Sequence, residues 1–315
     1  MQIRFLAAGS IILAFVVSAC EGARYAPASI QTLRNENARP TSSSGKALPS
    51  RLVFVGDWRT DLVDIFDAKS HKQIGDVSGF SFGDPMDVAT DSAGDLLVAD
   101  DYRRIDVYSP PYTEKPQAIS DGNYYPNGLH VDKAGNIWVA NFDAVGQARG
   151  DVEEFPAGSH TARKLKGGPY FMLYVATNAN GDVWADGSYW GGSYEIGYWK
   201  GGQGNFIRAN LPVGTPGPLE FDSHGNLLIV DQTGANGNAA IDVFPPGSKK
   251  PSRTIVTQTR SAGLALSPDE RLIYAPDYGG TINIITYPDG KIIGHLTPNT
   301  PGDAVSAAVV PATEP

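Results

Sequence analysis

The stretch Asp132-Lys133-Ala134-Gly135-Asn136-Ile137-Trp138-Val139-Ala140-Asn141 decides how most of this chain is read. An acidic residue opens a tight turn, Gly follows three positions later, and an apolar run then closes on an amide. The same phrase recurs as Asp91-Ser92-Ala93-Gly94-Asp95 leading to Asp100, and as Asp222-Ser223-His224-Gly225-Asn226 leading to Asp231. Looser copies run from Asn178 through Gly181 to Asp186 and from Ser267 through Glu270 to Asp277. Gly94, Gly135, Gly181 and Gly225 are spaced 41, 46 and 44 positions apart, a period that belongs to solenoids, propellers and arrays.

Each copy can be laid out as four short strands. In one, Met86 to Thr90, Leu96 to Ala99, Arg104 to Tyr108 and Lys115 to Ile119 follow one another with no helical period between them, which implies antiparallel pairing. The turn chemistry is specific, because Asp at the first position caps backbone N–H groups while Gly takes the positive φ that side chains resist. The third strand has its own signature: Val63-Asp64-Ile65-Phe66, Ile105-Asp106-Val107-Tyr108, Val152-Glu153-Glu154-Phe155 and Ile241-Asp242-Val243-Phe244. Its alternation directs apolar residues to a neighbouring sheet and the acidic ones toward solvent or loops. Second strands end at Asp57, Asp100, Asn141, Asp186, Asp231 and Asp277, which counts six sheets. The first lacks an opening strand, and Val305-Ser306-Ala307-Ala308-Val309 is the segment that would supply it and protect the edges of an otherwise open array. The expected fold is all-β, a six-bladed β-propeller of four-stranded antiparallel blades closed by a C-terminal strand.

The formal net charge of -9, with no basic stripe, argues against a nucleic-acid partner, since phosphate neutralisation needs clustered Lys and Arg. At the N-terminus, Arg4 precedes an apolar stretch from Phe5 to Val17, the pattern of a secretory signal. Val17-Ser18-Ala19-Cys20 resembles the bacterial lipoprotein lipobox, and Cys20 is the single cysteine of the chain. Residues 1–19 thus read as a signal peptide, Cys20 as a lipidated residue, and 20–50 as a Pro- and Ser-containing tether that would hold the body, 51–315, roughly 30 Å from a lipid surface. By the same resemblance, if the cell is Gram-negative, Glu21 after the cysteine implies sorting to its outer membrane.

Pro126-Asn127-Gly128-Leu129, followed by the run Asp132 to Asn141, resembles NHL-type and related bacterial propeller repeats, over residues 51 to 310. Propellers of this kind include binding modules, lyases and lactonases. In the similar gluconolactonase family a central divalent metal is held by a Glu, two Asn and an Asp. Asn127 resembles one of these asparagines, while the matching columns of later blades hold Leu173, Gly217 and Ala262, which cannot ligate through their side chains.

Propeller geometry gathers Asp57, Asp100, Asp101, Asn141, Asp186, Asp231 and Asp277 around one mouth, with Asp87 and Asn127. An oxygen-rich ring suits Ca²⁺ or another hard divalent cation, with Asp57, Asp100, Asn141, Asp231 and Asp277 as candidate ligands; a carboxylate in this column also suits capping of its own loop. Aromatic residues accompany the ring: Trp58, Tyr102, Phe142 and Tyr278 stand beside it, and Tyr125, Tyr189 and Trp190 fall in loops of the same face. Flat rings beside hydrogen-bonding oxygens make a shallow site for a sugar or a peptide. His71, His130, His160, His224 and His295 show no zinc-ligand spacing, and neither a nucleophile elbow nor a phosphate loop is present. The sequence therefore points to a monomeric, lipid-anchored propeller of the cell envelope that binds a protein or carbohydrate through its loop face without catalysis. The alternatives are a metal-dependent hydrolase or lactonase at the central opening, and a scaffold subunit using blade sides.

Overall fold

A computed structural model describes residues 48–49, 51–78, 84–122, 124–144, 149–234, 238–257 and 260–310. The signal segment, Cys20 and the tether up to residue 47 lie outside them. Among the described residues there are six four-stranded antiparallel sheets. From the innermost strand outward, blade 1 is Ala304–Val309, Leu52–Asp57, Leu62–Asp67 and Lys72–Val77; blade 2 is Pro85–Thr90, Leu96–Asp100, Arg104–Tyr108 and Gln117–Ser120. Blade 3 is Tyr124–Val131, Ile137–Ala144, Val152–Phe155 and Arg163–Lys164, and blade 4 is Phe171–Thr177, Val183–Ser188, Tyr194–Trp199 and Ile207–Arg208. Blade 5 is Pro216–Phe221, Leu227–Asp231, Ala240–Phe244 and Arg253–Val256; blade 6 is Ala265–Leu266, Leu272–Pro276, Ile282–Thr286 and Ile292–Leu296.

The six-bladed propeller is closed as the sequence implies. Val53 pairs with Val309, Phe54 with Ala308 and Val55 with Ala307, so the two ends of the domain share blade 1 and no innermost edge is left open.

The repeat turns fold by the chemistry their residues dictate. Asp132 Oδ1 accepts the N–H groups of Ala134 and Asn136, both at 2.9 Å, and Gly135 takes φ +82°. Asp91 and Asp222 do the same in blades 2 and 5, and Asn178 in blade 4. In blade 6 the Ser267 hydroxyl takes the capping role, and Glu270 holds the left-handed position at φ +52°.

The hydrophobic core is divided among the blade junctions. Phe54, Val63 and Ile65 of blade 1 pack with Val88, Leu96 and Val98 of blade 2, and similar clusters fill the other five junctions. Each sheet buries both faces against neighbours, which is why second strands such as Leu96–Asp100 and Leu227–Asp231 are buried throughout.

One expectation is corrected here. The acidic residues of the third strands do not reach solvent: Asp64, Asp106, Glu153 and Asp242 are all buried. Packing on both sheet faces leaves them no route outward, and a polar neighbour meets one oxygen of each instead, Lys164 doing so for Glu153. Gln73 donates to Asp64 at 2.6 Å, Arg104 to Asp106 at 2.8 Å, and Thr254 to Asp242 at 2.5 Å. Burial nevertheless pushes Asp64 up to about 7 and Asp106 up to about 6.

Candidate functional site: the loop face and the axial tunnel

In an up-and-down blade, the loops after second strands and those leading to the next blade share one face, opposite the repeat turns. The candidate cation ligands all lie on it; each carboxylate gives at least one oxygen to a backbone donor, while Asp57 Oδ2 and Asn141 Oδ1 are buried without a donor among the described residues. Asp57 Oδ1 accepts the N–H groups of Arg59 and Thr60, Asp100 Oδ1 that of Tyr102, and Asp277 Oδ1 that of Gly279. Asp231 receives Gly214, Thr215 and Thr233 N–H together with the Thr233 hydroxyl. Asn141 Nδ2 donates to Asp151 at 3.0 Å. Asp101 is pushed up to about 7 by burial and by Asp84 and Asp100.

The aromatic candidates separate into groups because blade packing, rather than the repeat column, sets their neighbours. On blades 3 and 4, Phe142 stacks on Phe171 with centroids 4.9 Å apart, and Trp190 meets Phe171 edge to face at 5.0 Å. Tyr170 and Tyr189 pack at 5.4 Å, and the Arg149 guanidinium lies 5.3 Å from the Tyr170 ring. The Tyr189 hydroxyl donates to Glu195 at 2.6 Å, and Glu195 pairs with Arg208, also at 2.6 Å. Trp190 stands on a hydrogen-bonded turn, with Tyr189 N–H donating to Ser193 O and Gly192 N–H to Tyr189 O. It is 64% exposed, the most open of the large apolar residues among the described ones.

A second group joins blades 1 and 6. Trp58 and Tyr278 are 6.0 Å apart, with Arg260 over the Tyr278 ring. Tyr102 lies on blade 2 with Arg103 at 5.2 Å, and Tyr125 lies in the innermost strand of blade 3. Arg149, Glu195 and Arg208 were not legible as site residues. Their one sequence signal is their nearness to the Tyr170-Phe171 and Tyr189-Trp190 pairs once strands are assigned.

The tunnel along the propeller axis encloses about 170 Å³ and is lined by all six innermost strands. Polar side chains that line it, Asp87, His130 and Glu220, and Asn127 of the same innermost strands tie neighbouring blades together. Asp87 Oδ2 accepts Leu129 N–H at 2.8 Å, Asn127 Nδ2 donates to Leu173 O at 2.7 Å, and Glu220 Oε2 accepts Leu266 N–H at 2.8 Å. His130 Nε2 lies 2.9 Å from the Thr177 hydroxyl. Asn127, singled out as a ligand by resemblance, therefore uses its amide nitrogen to join blades 3 and 4. Desolvation pushes Asp87 up to about 7 and Glu220 up to about 8, and holds His130 down to about 4.

On the opposite face, Asp222, His224 and Glu270 bring ligand atoms within 4.8 Å of one another. The oxygens there are already engaged. Asp222 accepts His224 N–H, Asn226 N–H, Asn226 Nδ2 and the Tyr287 hydroxyl, while Glu270 accepts the N–H and hydroxyl of Ser223.

No protein-family model and no curated protein sequence matches the chain. Solved structures do. One, in a nidogen/laminin complex, superposes with a TM-score of 0.66 at 14% identity, over 83% of this chain and 98% of that one. A protein of unknown function from Bacteroides caccae gives 0.64 at 13% identity, over 82% and 98%. Hydrazine synthase of Kuenenia stuttgartiensis gives 0.56 at 15% identity, over 74% and 72%. At these identities the likeness is one of fold.

Proposed function

We propose that the chain is a lipid-anchored, extracytoplasmic binding propeller that captures a protein partner of the cell envelope through the aromatic platform of blades 3 and 4. The observation that carries this reading is Trp190, largely exposed on a hydrogen-bonded turn, backed by Phe171 and Phe142 and flanked by Tyr170, Tyr189, Arg149 and Arg208. Trp, Tyr and Arg are the residues that dominate protein interfaces, because each covers a large apolar area and retains a directed polar group. An exposed apolar surface rimmed by charge has an energetic cost in isolation that a partner removes. One structural neighbour of the propeller was itself solved in a nidogen/laminin complex, which supports a protein rather than a small molecule as the ligand.

The anchor rests on Val17-Ser18-Ala19-Cys20. Replacing Cys20 with Ser should abolish lipid labelling and move the protein from the membrane to the soluble fraction; unchanged fractionation rejects the anchor. For the binding face, envelope extract is passed over immobilised wild type and Trp190→Ala, with soluble envelope glycans added as competitors in a parallel run. The reading requires a protein retained by wild type, lost with Trp190→Ala and insensitive to the glycans. Equal retention by both proteins rejects it.

A further inference from the structure

The lysines are not spread evenly over the molecule. Loops that join third to fourth strands share a face with the repeat turns, and every blade sets at least one lysine there: Lys69, Lys115, Lys133, Lys200, Lys249 and Lys291, in blade order. All of them are exposed, and none makes an ion pair among the described residues. Lys72 and Lys250 double the circle in blades 1 and 5, and the only described lysines elsewhere are Lys164 and Lys166, on the outer side of blade 3. These residues are scattered along the sequence, and closure of the propeller collects them. Carboxylates share the face, but those of the repeat turns bend into their own backbone donors, as at Asp91, Asp132 and Asp222. Of the acids there, Glu114, Asp269 and Asp289 are exposed, and Asp269 is spent on Arg51. An ammonium on its four-carbon stem stands farther out than any of them.

On the loop face the balance reverses. The mouth carboxylates Asp57, Asp100, Asp231 and Asp277 are joined there by Asp121, whose two oxygens meet no donor among the described residues and whose carboxyl is raised by burial and then by Glu153. The nearby cations are largely spent: Arg104 on Asp100 and Asp106, Arg208 on Glu195, and Lys164 on Asp151 and Glu153. The point of entry of the chain lies on the opposite, lysine-bearing side. Ala68 N–H donates to Arg51 O at 3.2 Å, and the Arg51 guanidinium pairs with Asp269 of the blade 6 turn at 3.0 Å. An anchor upstream of Arg51 therefore holds the propeller by its lysine face.

We propose that the repeat-turn face docks on anionic membrane headgroups through its circle of lysines, and so turns the aromatic platform of blades 3 and 4 away from the membrane. The proposal rests on the anchored reading above and adds an orientation to it. Lysines close to a negative leaflet are attracted within a Debye length, about 10 Å at 0.1 M salt, and the acidic loop face is repelled over the same range. Flexible point charges suit phosphates that move in a fluid surface, where the fixed fork of an arginine would find no fixed partner. Blades 1 to 6 all contribute, so contact through them sets the propeller axis across the membrane plane and presents Trp190 outward.

The test couples the chain from Cys20 onward, through its single thiol, to a maleimide lipid in vesicles of phosphatidylcholine alone or of equal parts phosphatidylcholine and phosphatidylglycerol. Chemical coupling makes the result independent of whether a cell acylates Cys20, which the fractionation of Cys20→Ser decides separately. Lysines are then acetylated and the rate at each is read by mass spectrometry. Lys133, Lys200, Lys249 and Lys291 should react about fivefold more slowly on the anionic vesicles than on the neutral ones, and the difference should vanish near 1 M NaCl. Lys166, off the proposed contact, should react alike on both. Equal rates at the circle lysines on the two vesicles overturn the proposal, and so does a slowing of Lys166 as large as theirs. Equal protection on neutral vesicles by added soluble polyphosphate also overturns it, since the face would then take any polyanion.

Discussion

The two faces of the propeller use the same residue types to opposite ends. On the repeat-turn face, Asp132 and Asp222 direct their carboxylates into their own turns, where N–H groups, amides and ring-bearing donors saturate both oxygens. On the other face, rings are left open at Trp190 and carboxylate oxygens are left without donors at Asp121. Saturated polar groups build the frame and have nothing left to offer a ligand. Groups held short of a partner by that same frame are where binding can occur.

Removing a saturated cap should give the largest effect. Asp132 receives Ala134 N–H, Asn136 N–H, Asn136 Nδ2 and Trp138 Nε1, so Asp132→Ala should cost about 2–3 kcal/mol in chemical denaturation and leave partner capture unchanged. Trp190→Ala should invert that pattern. Binding should weaken by ~2 kcal/mol, about 30-fold in Kd, while stability moves by less than about 0.5 kcal/mol, because the side chain is mostly in water. If both variants fall in the same column, unstable or non-binding alike, the division between the faces is lost.

A smaller effect is expected at Gly225, which sits at φ +79° in the repeat turn. Gly225→Ala should cost about 1 kcal/mol by forcing a side chain into the left-handed region, again without a change in binding.

The finest comparison is pH dependence. Asp132 and Asp222 are lowered by the donors around them, so their stabilisation is present above the ordinary carboxylate range and is lost as pH falls below it. Asp87, at about 7, and Glu220, at about 8, are raised by burial in the tunnel; their contribution is full below about pH 4 and is lost as pH climbs through those values. His130, depressed to about 4, contributes above its ordinary 6.5 and loses that contribution on acidification, so it does not mask the alkaline limb. The urea midpoint should therefore drop between pH 7 and 9, and Glu220→Gln should flatten the drop. A midpoint that rises over that interval contradicts the tunnel electrostatics.

The fold was legible because its instruction is local. Asp-x-x-Gly fixes a turn within four residues, and a blade that lacks an opening strand calls for one elsewhere, which Ala304–Val309 provides. The outer strands were less so: Arg163–Lys164 and Ile207–Arg208 are two residues long and exposed, with no apolar alternation to announce them. The site was legible only in part. Tyr189 and Trp190 could be placed on a loop, but their union with Phe142 and Phe171 depends on how two blades pack. Glu153 belongs to the acidic column of the third strands, but Asp121, 32 positions earlier, belongs to no repeated column, so only the packed structure relates the two.

The account turns on which face meets a partner, and site-specific photo-crosslinking tests this most directly. A photoreactive phenylalanine analogue is placed at position 190 on the aromatic platform and, in a second protein, at exposed position 133 on a repeat turn. Irradiation in intact cells should yield a discrete protein adduct from position 190 and none from position 133. An adduct from position 133 with none from 190 would contradict it.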